Sequence, residues 1–179
     1  MDSSNTQPPE FDDLITLYPS AVATYFVPSD LSGKGGMHSE CIHATPNWRK
    51  EGPQYDTIFF ITNPNEDDMH GLEVAQVKQF FSFKSQGHLY PCAIVQWYSH
   101  CYDEPDEVTG MWVVEPDAYD GKPTTDIIHV DTIACSAHLI AVHGKNPLPK
   151  NIPPCYALHL FNSYYVNKYI DHHAFELAF

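Results

Sequence analysis

Short segments rich in β-branched and aromatic residues recur along this chain, each bounded by Gly, Pro, Asn or Asp. This pattern is typical of β-strands joined by turns. The segment 55–62 (YDTIFFIT) is nearly continuously apolar between Pro53 and Pro64, which predicts a central strand buried on both faces. Further strands are predicted at 21–27, 37–44, 111–115, 127–130 and 139–142.

The clearest pattern is a hairpin. Residues 72–83 alternate loosely between apolar and polar positions, the sequence SQGH follows as a turn, and residues 89–99 alternate again. Pro91 near the start of the second segment suits a strand entrance or a sheet edge. We therefore expect two long antiparallel strands here.

Helical signals are confined to two places. Asp131 and Thr132 predict a cap for one or two helical turns through Ala137. Apolar residues at helical spacing predict an amphipathic helix over 156–170. The positions that carry this second pattern are Leu158, Phe161, Tyr165, Tyr169 and Ile170.

These elements predict a mainly β fold: a small curved β-barrel or sandwich with a C-terminal helix and a disordered N-terminal tail. Residues 1–13 form the predicted tail because they are polar, acidic and proline-containing. Residues 14–145 form the barrel-like domain, including an N-terminal hairpin. Residues 146–179 form a Pro-rich connector and the helical segment.

Composition narrows the classes of partner. The 179 residues include 9 Lys plus Arg against 23 Asp plus Glu, a net charge of -14, which argues against binding to bare DNA. No apolar run is long enough to span a bilayer, and no secretory signal is visible. Five cysteines without a C-x-x-C pair favour free thiols in a reducing, intracellular compartment.

Aromatic residues flank an acidic segment on consecutive predicted strands, and aromatic faces beside carboxylates are suited to a methylated or unmodified lysine. Core packing of Trp97 and Trp112 and a merely solvated acidic loop are the alternatives. The candidate binding residues are Trp97, Tyr98, Tyr102, Asp103, Glu104, Asp106, Glu107 and Trp112.

Metal chemistry is the second hypothesis. His129 and Asp131 lie on one face of a predicted strand, as a two-histidine, one-carboxylate iron site requires, with His143, His172 or His173 as the third ligand. A zinc alternative uses ligand-like spacing within two short motifs. Its residues are Cys135, His138, Cys155 and His159.

Other chemistry is not indicated. The segment 32–36 (SGKGG) lacks the glycine and hydroxyl positions of a phosphate-binding loop, and an ordinary turn explains it. No G-x-S-x-G elbow is present, so the sequence predicts neither a catalytic nucleophile nor a cofactor.

Three long segments carry a family resemblance: 71–99 (GLEVAQVKQFFSFKSQGHLYPCAIVQWYS), 103–117 (DEPDEVTGMWVVEPD) and 161–179 (FNSYYVNKYIDHHAFELAF). With 127–144 (IIHVDTIACSAHLIAVHG), they resemble the C-terminal region of Plavaka-type transposase proteins of mushroom-forming fungi, over 14–179. The resemblance implies a module downstream of a ribonuclease-H-like core that cuts and joins DNA.

No catalytic residue follows from that resemblance, because the core with its acidic metal ligands has no counterpart in these segments. This chain also departs from the family pattern where arginines are usual, which removes positive charge needed for DNA contacts. The departing positions are Gln76, Gln96, His100 and Cys135.

A second resemblance, over 74–142, is to bromo-adjacent homology modules, which implies a curved β-barrel that binds nucleosomal protein. Together these features predict a non-catalytic accessory or remnant module of a fungal transposable-element protein. Its expected partner is a histone or other chromatin protein, which implies the nucleus. The alternative is a metal-dependent enzyme that uses His129, Asp131 and a distant histidine.

Overall fold

The computed structural model describes residues 14–66, 68–143, 152–153 and 156–178. The predicted tail over 1–13 lies outside the described residues, as does most of the predicted connector. No helix in the described ranges is long and apolar enough to cross a bilayer.

The described residues are mainly β, as predicted. The first strands are β1 (Ile15–Tyr18), β2 (Ser20–Phe26), β3 (Met37–Trp48), β4 (Gly52–Tyr55), β5 (Thr57–Ile61), β6 (Leu72–Ser85) and β7 (His88–His100). The later strands are β8 (Val113–Pro116), β9 (Ala118–Tyr119), β10 (Lys122–Pro123), β11 (Thr125–His129), β12 (Ile133–Ala137), β13 (Leu139–Ala141) and β14 (Tyr164–Val166). The α-helices are α1 (Ala157–Leu160) and α2 (His172–Ala178).

A nearly closed, barrel-like sheet forms the body, with strand order β12-β5-β6-β7-β8-β14-β13. Strand β1 pairs with the second half of β6, and β11 pairs with the middle of β7. A register shift between Val77 and Gln79 separates the two halves of β6, so one long strand pairs with β5 and then with β1. Strands β2, β3 and β4 form a separate small sheet.

The predicted long hairpin is confirmed as β6 and β7. Its turn residues, Gln86 and Gly87, have φ of 52° and 79°. A two-residue turn with both φ positive matches the twist of the flanking strands, and glycine adopts such a φ without strain. The hairpin register is therefore determined by this local turn together with the alternating strands.

Strand β5 is buried on both faces, which confirms the prediction for 55–62. Ile58 and Phe59 are consecutive, so their side chains point to opposite faces of the sheet, yet both are buried. Phe59 packs in one core cluster with Tyr98, Trp112 and Tyr164, whereas Ile58 belongs to the other. The sheet thus separates two cores.

The small sheet is joined to the barrel through Glu40. The Ser136 backbone N–H donates to Glu40 Oε1, and Ser136 Oγ donates to Glu40 Oε2 at 2.5 Å. Tyr25 also forms a hydrogen bond with Glu40, and burial together with the Glu40 charge raises the pKa of Tyr25 to about 12. One carboxylate on β3 therefore connects β2 and β12.

The predicted C-terminal helix is present as α2, but the predicted bounds of both helical segments are wrong. The predicted helix over 156–170 is instead the short α1, the strand β14, and a loop before α2. Tyr164 and Val166 are both buried, a period of two, because β14 lies between β8 and β13. The predicted helical turns through Ala137 are a 3-10 turn over Val130–Thr132, after which β12 pairs with β5.

Candidate functional site

The predicted aromatic residues are divided between core and surface. Tyr98 and Trp112 are each 3% exposed and belong to a core cluster, so their rings are occupied by packing. Tyr102, at 65% exposure, lies on the surface. Trp97 is half-buried, and its ring meets Phe60 edge-on at 5.1 Å between centroids. Among these four, Trp97 alone combines a fixed ring with partial exposure.

The predicted acidic loop is held by hydrogen bonds between its own residues. Asp106 Oδ1 accepts hydrogen bonds from the backbone N–H and the hydroxyl of Thr109, each at 2.8 Å, and these bonds lower the pKa of Asp106. Gly110 N–H donates to the Asp106 carbonyl at 2.7 Å. Asp103, Glu104 and Glu107 remain exposed. Asp106 is therefore committed to the turn.

A cleft of about 610 Å³ opens beside Trp97, and none of the four acidic-loop residues lines it. Trp97 and Tyr98 do line it, together with three carboxylates that the sequence did not single out, Glu73, Asp117 and Asp126. The other lining residues are Thr62, Met69, His70, Leu72, Ser99 and His100. We call this space the acidic cleft.

Strand pairing brings the three carboxylates to Trp97. Asp117 N–H donates to the Trp97 carbonyl at 2.9 Å, which places β8 beside the end of β7. The Trp97 indole Nε1–H donates to Asp126 Oδ2 on β11 at 2.8 Å. Glu73 lies on β6, paired with Phe60 of β5. These residues are far apart in the sequence, so local patterns do not predict that they meet. Once the register of β6 and β7 is known, alternation along each strand places Glu73 and Trp97 on one face of the sheet.

The electrostatics of the acidic cleft favour a cation. Burial raises the pKa of the Glu73 carboxyl, and the nearby Asp117 charge raises it further. No Lys or Arg is among the described residues that line the cleft. A bound cation would relieve the repulsion between these carboxylates, and a cation over the Trp97 ring would gain cation–π attraction.

Two histidines that line the acidic cleft, His70 and His100, contact the buried Trp112 ring. The His100 ring stacks on Trp112 at 5.0 Å and the His70 ring meets it edge-on at 5.3 Å, both between centroids. His100 Nε2 is buried without a hydrogen-bond partner. Burial, followed by the nearby His70, lowers the pKa of His100, so the surroundings favour the neutral form of this ring.

The metal hypotheses gain no support from the geometry. Within the described residues, no three His, Cys, Asp or Glu side chains are grouped so that they could hold a metal ion. The predicted set of His129, Asp131 and His143 is thus not assembled. His129 instead accepts the Asp131 backbone N–H at 3.3 Å and caps the 3-10 turn.

The zinc alternative is likewise not assembled in the part of the chain that is described. Cys135 is buried, and desolvation raises its pKa, which disfavours the thiolate that zinc requires. His138 Nδ1 lies 3.1 Å from Asn167 Nδ2. Cys155 lies outside the described residues. Cys41, Cys92, Cys101 and Cys135 are free thiols, consistent with the prediction for these four.

A second cavity, of about 630 Å³, lies between the small sheet and the barrel. Polar groups in its wall already form hydrogen bonds within the protein. The His43 N–H donates to Asp56 Oδ2 at 2.7 Å, and Gln54 Nε2 donates to Asp56 Oδ1 at 2.9 Å. The buried Gln76 bonds to Lys78 and to the Tyr55 carbonyl. The acidic cleft is the better candidate because Glu73 and Asp117 repel each other there, with no Lys or Arg among the described lining residues.

Comparisons with protein families, with curated proteins and with solved structures find no match for this chain. The resemblances to Plavaka-type transposase proteins and to bromo-adjacent homology modules therefore stay predictions.

Stability should fall on mild acidification because two buried imidazoles must become protonated. His173 stacks on Tyr25 at 4.1 Å with neither ring nitrogen bonded. Burial lowers its pKa, as for His100, although Asp171, Glu40 and Glu176 oppose the shift and His38 adds to it. A folded-state pKa below the ordinary 6.5 means that the unfolded chain binds protons first, so stability is lost as the pH falls through about 6.5.

Urea unfolding from about pH 7.5 to 5.5 measures this loss, in a range above the titration of most carboxylates. The variants His100→Phe and His173→Phe keep a stacking ring without a titrating group, so each should flatten the pH dependence. The exposed His88 is the control, and His88→Gln should leave it unchanged. If the free energy of unfolding depended equally on pH in the wild type and in all three variants, His100 and His173 would not be the groups responsible.

Proposed function

We propose that this chain is a non-catalytic protein-interaction module whose acidic cleft binds a lysine side chain of a basic partner. The observation that carries this proposal is the placement of Glu73, Asp117 and Asp126 around Trp97. An ammonium group offers three N–H donors to carboxylate oxygens, and the indole face accepts the adjoining methylenes. With a single partly exposed indole and three carboxylates, the cleft favours an ammonium with its N–H donors over trimethyl-lysine, which has none.

The biological setting follows from the resemblances alone. They support an accessory or remnant module of a fungal transposable-element protein that acts in the nucleus on histone or other chromatin protein. The net charge of -14 supports the same class of partner, because histone tails are strongly basic whereas duplex DNA would be repelled.

The test is binding of lysine-rich histone-tail peptides, measured by calorimetry at about 0.15 M salt, where long-range attraction is screened beyond about 8 Å. Asp117→Asn should weaken binding about tenfold, since it removes one charge-assisted hydrogen bond. Asp103→Asn in the exposed loop changes the net charge equally and should weaken binding less than about twofold. Trimethylated peptide should bind more weakly than unmodified peptide.

Two results would overturn the proposal. Equal weakening by Asp117→Asn and Asp103→Asn would show that the peptide responds to overall charge rather than to the acidic cleft. Duplex DNA bound more tightly than every peptide would assign the chain to a different class of partner.

A further inference from the structure

An apolar face covers the part of the sheet formed by β1, the second half of β6, β7 and β11. Register places Ile15 opposite Phe83, and Phe83 opposite Tyr90. Residues directly opposite in an antiparallel pair share a face, as do alternate residues of one strand. The same rule adds five more apolar residues to this face. The apolar members of the face are therefore Ile15, Leu17, Phe81, Phe83, Tyr90, Cys92, Ile94 and Ile127. The polar Gln79, opposite Ile94, and His129, opposite Cys92, lie on the same face.

This apolar face is ordered but partly uncovered. The rings of Phe81, Phe83 and Tyr90 stack in series, with centroids 6.4 Å and 5.2 Å apart. Leu17 and Ile127, near its two ends, are 63% and 64% exposed. The paired positions of this face include no Asp, Glu, Lys or Arg, although the whole chain carries a net charge of -14.

The size of the apolar face is appropriate for a specific contact. Five of its side chains are exposed to solvent, those of Ile15, Leu17, Tyr90, Ile94 and Ile127. Each leaves roughly 100 Å² of apolar surface in water, so the face amounts to about 500 Å² per chain. Two such faces packed together bury about 1,000 Å² from these side chains alone, which reaches the lower limit for a specific interface.

We infer that this apolar face packs against the same face of a second copy of the chain, sheet against sheet, in a two-fold dimer. The second copy is the occupant that the charges favour. A basic partner would find no carboxylate among these eight side chains, whereas a second copy presents an equally uncharged surface. Two-fold packing brings the same face of both copies together.

The acidic cleft does not compete with this contact. Trp97 and Asp126 point to one face of β7 and β11, whereas Ile94 and Ile127 point to the other, since these positions alternate along each strand. The dimer inference is therefore independent of the proposed function, and either can fail alone.

Sedimentation velocity of the full chain tests the dimer. The mass should rise from 20.3 kDa towards twice that value as the concentration increases from about 1 to 100 μM. Leu17→Lys should raise the dimer dissociation constant at least about tenfold, because it places an ammonium group in an apolar contact. Val108→Lys adds the same charge at an exposed loop position and should leave the mass distribution unchanged.

A wild-type chain of monomer mass throughout this range would overturn the inference. Equal loss of dimer in Leu17→Lys and Val108→Lys would also overturn the inference, since the dimer would then not depend on the apolar face. If Leu17→Lys fails to fold, Ile127→Lys on β11 decides between these outcomes, because it alters the opposite end of the same face.

Discussion

Replacing Phe59 with alanine is expected to lower the free energy of unfolding by about 3–5 kcal/mol, because the substitution leaves a cavity in the core. Phe59 is 1% exposed and lies on β5 between β6 and β12. Strands on both sides restrict collapse around the cavity. A single domain is stable by only about 5–15 kcal/mol, so this variant should unfold at much lower urea concentration.

Phe26→Ala is the matched control, since it removes the same side chain from a half-exposed position on β2. We expect a cost of about 1 kcal/mol there. Circular dichroism during urea unfolding measures both variants. Similar costs at the two positions would contradict the assignment of Phe59 to the core between the strands.

Replacing Glu40 with alanine should cost about 2–4 kcal/mol, because it leaves the Ser136 N–H and hydroxyl and the Tyr25 hydroxyl without their shared acceptor. Hydrogen bonds to a charged group are stronger than neutral ones, and these join β3 to β2 and β12. We expect hydrogen exchange to increase first in β2 and β3, two of the three strands of the small sheet, as the link between this sheet and the barrel weakens.

Glu107→Ala provides the control for Glu40→Ala because it removes the same charge from an exposed loop position. Its expected effect is within about 0.5 kcal/mol. If the two variants were equally stable, Glu40 would have no role in joining the sheets. The Tyr25 hydroxyl should also titrate at lower pH in Glu40→Ala, since the neighbouring carboxylate is one of the causes of its raised pKa.

The acidic cleft and the apolar face lie on opposite faces of the same two strands, β7 and β11. Alternation along each strand separates them: Asp126 belongs to the cleft and its neighbour Ile127 to the apolar face. A dimer formed through the apolar face would therefore leave two clefts open. Binding of one peptide chain with several lysines to both clefts would then be strengthened by its effective concentration.

Local sequence predicts only part of the candidate binding site, because contacts between distant strands decide which side chains meet there. Trp97 was recognised as a candidate because it is an aromatic residue near acidic ones. Its partners Glu73, Asp117 and Asp126 do not follow from local sequence, because they come from three other strands or their ends and the strand register that joins them is a long-range property. Tyr98 and Trp112 were chosen for chemistry, yet core packing uses both rings.

The amino-acid pattern alone determined the β class, the β6–β7 hairpin and the strand β5, because alternation and turn residues act over a few neighbouring positions. Tertiary structure decided the rest. Residues 164–166 form a strand because β8 and β13 supply hydrogen-bond partners on both sides, and those contacts override the helical spacing of the surrounding residues. The same long-range pairing gathers three carboxylates around one indole, an arrangement that no local pattern encodes.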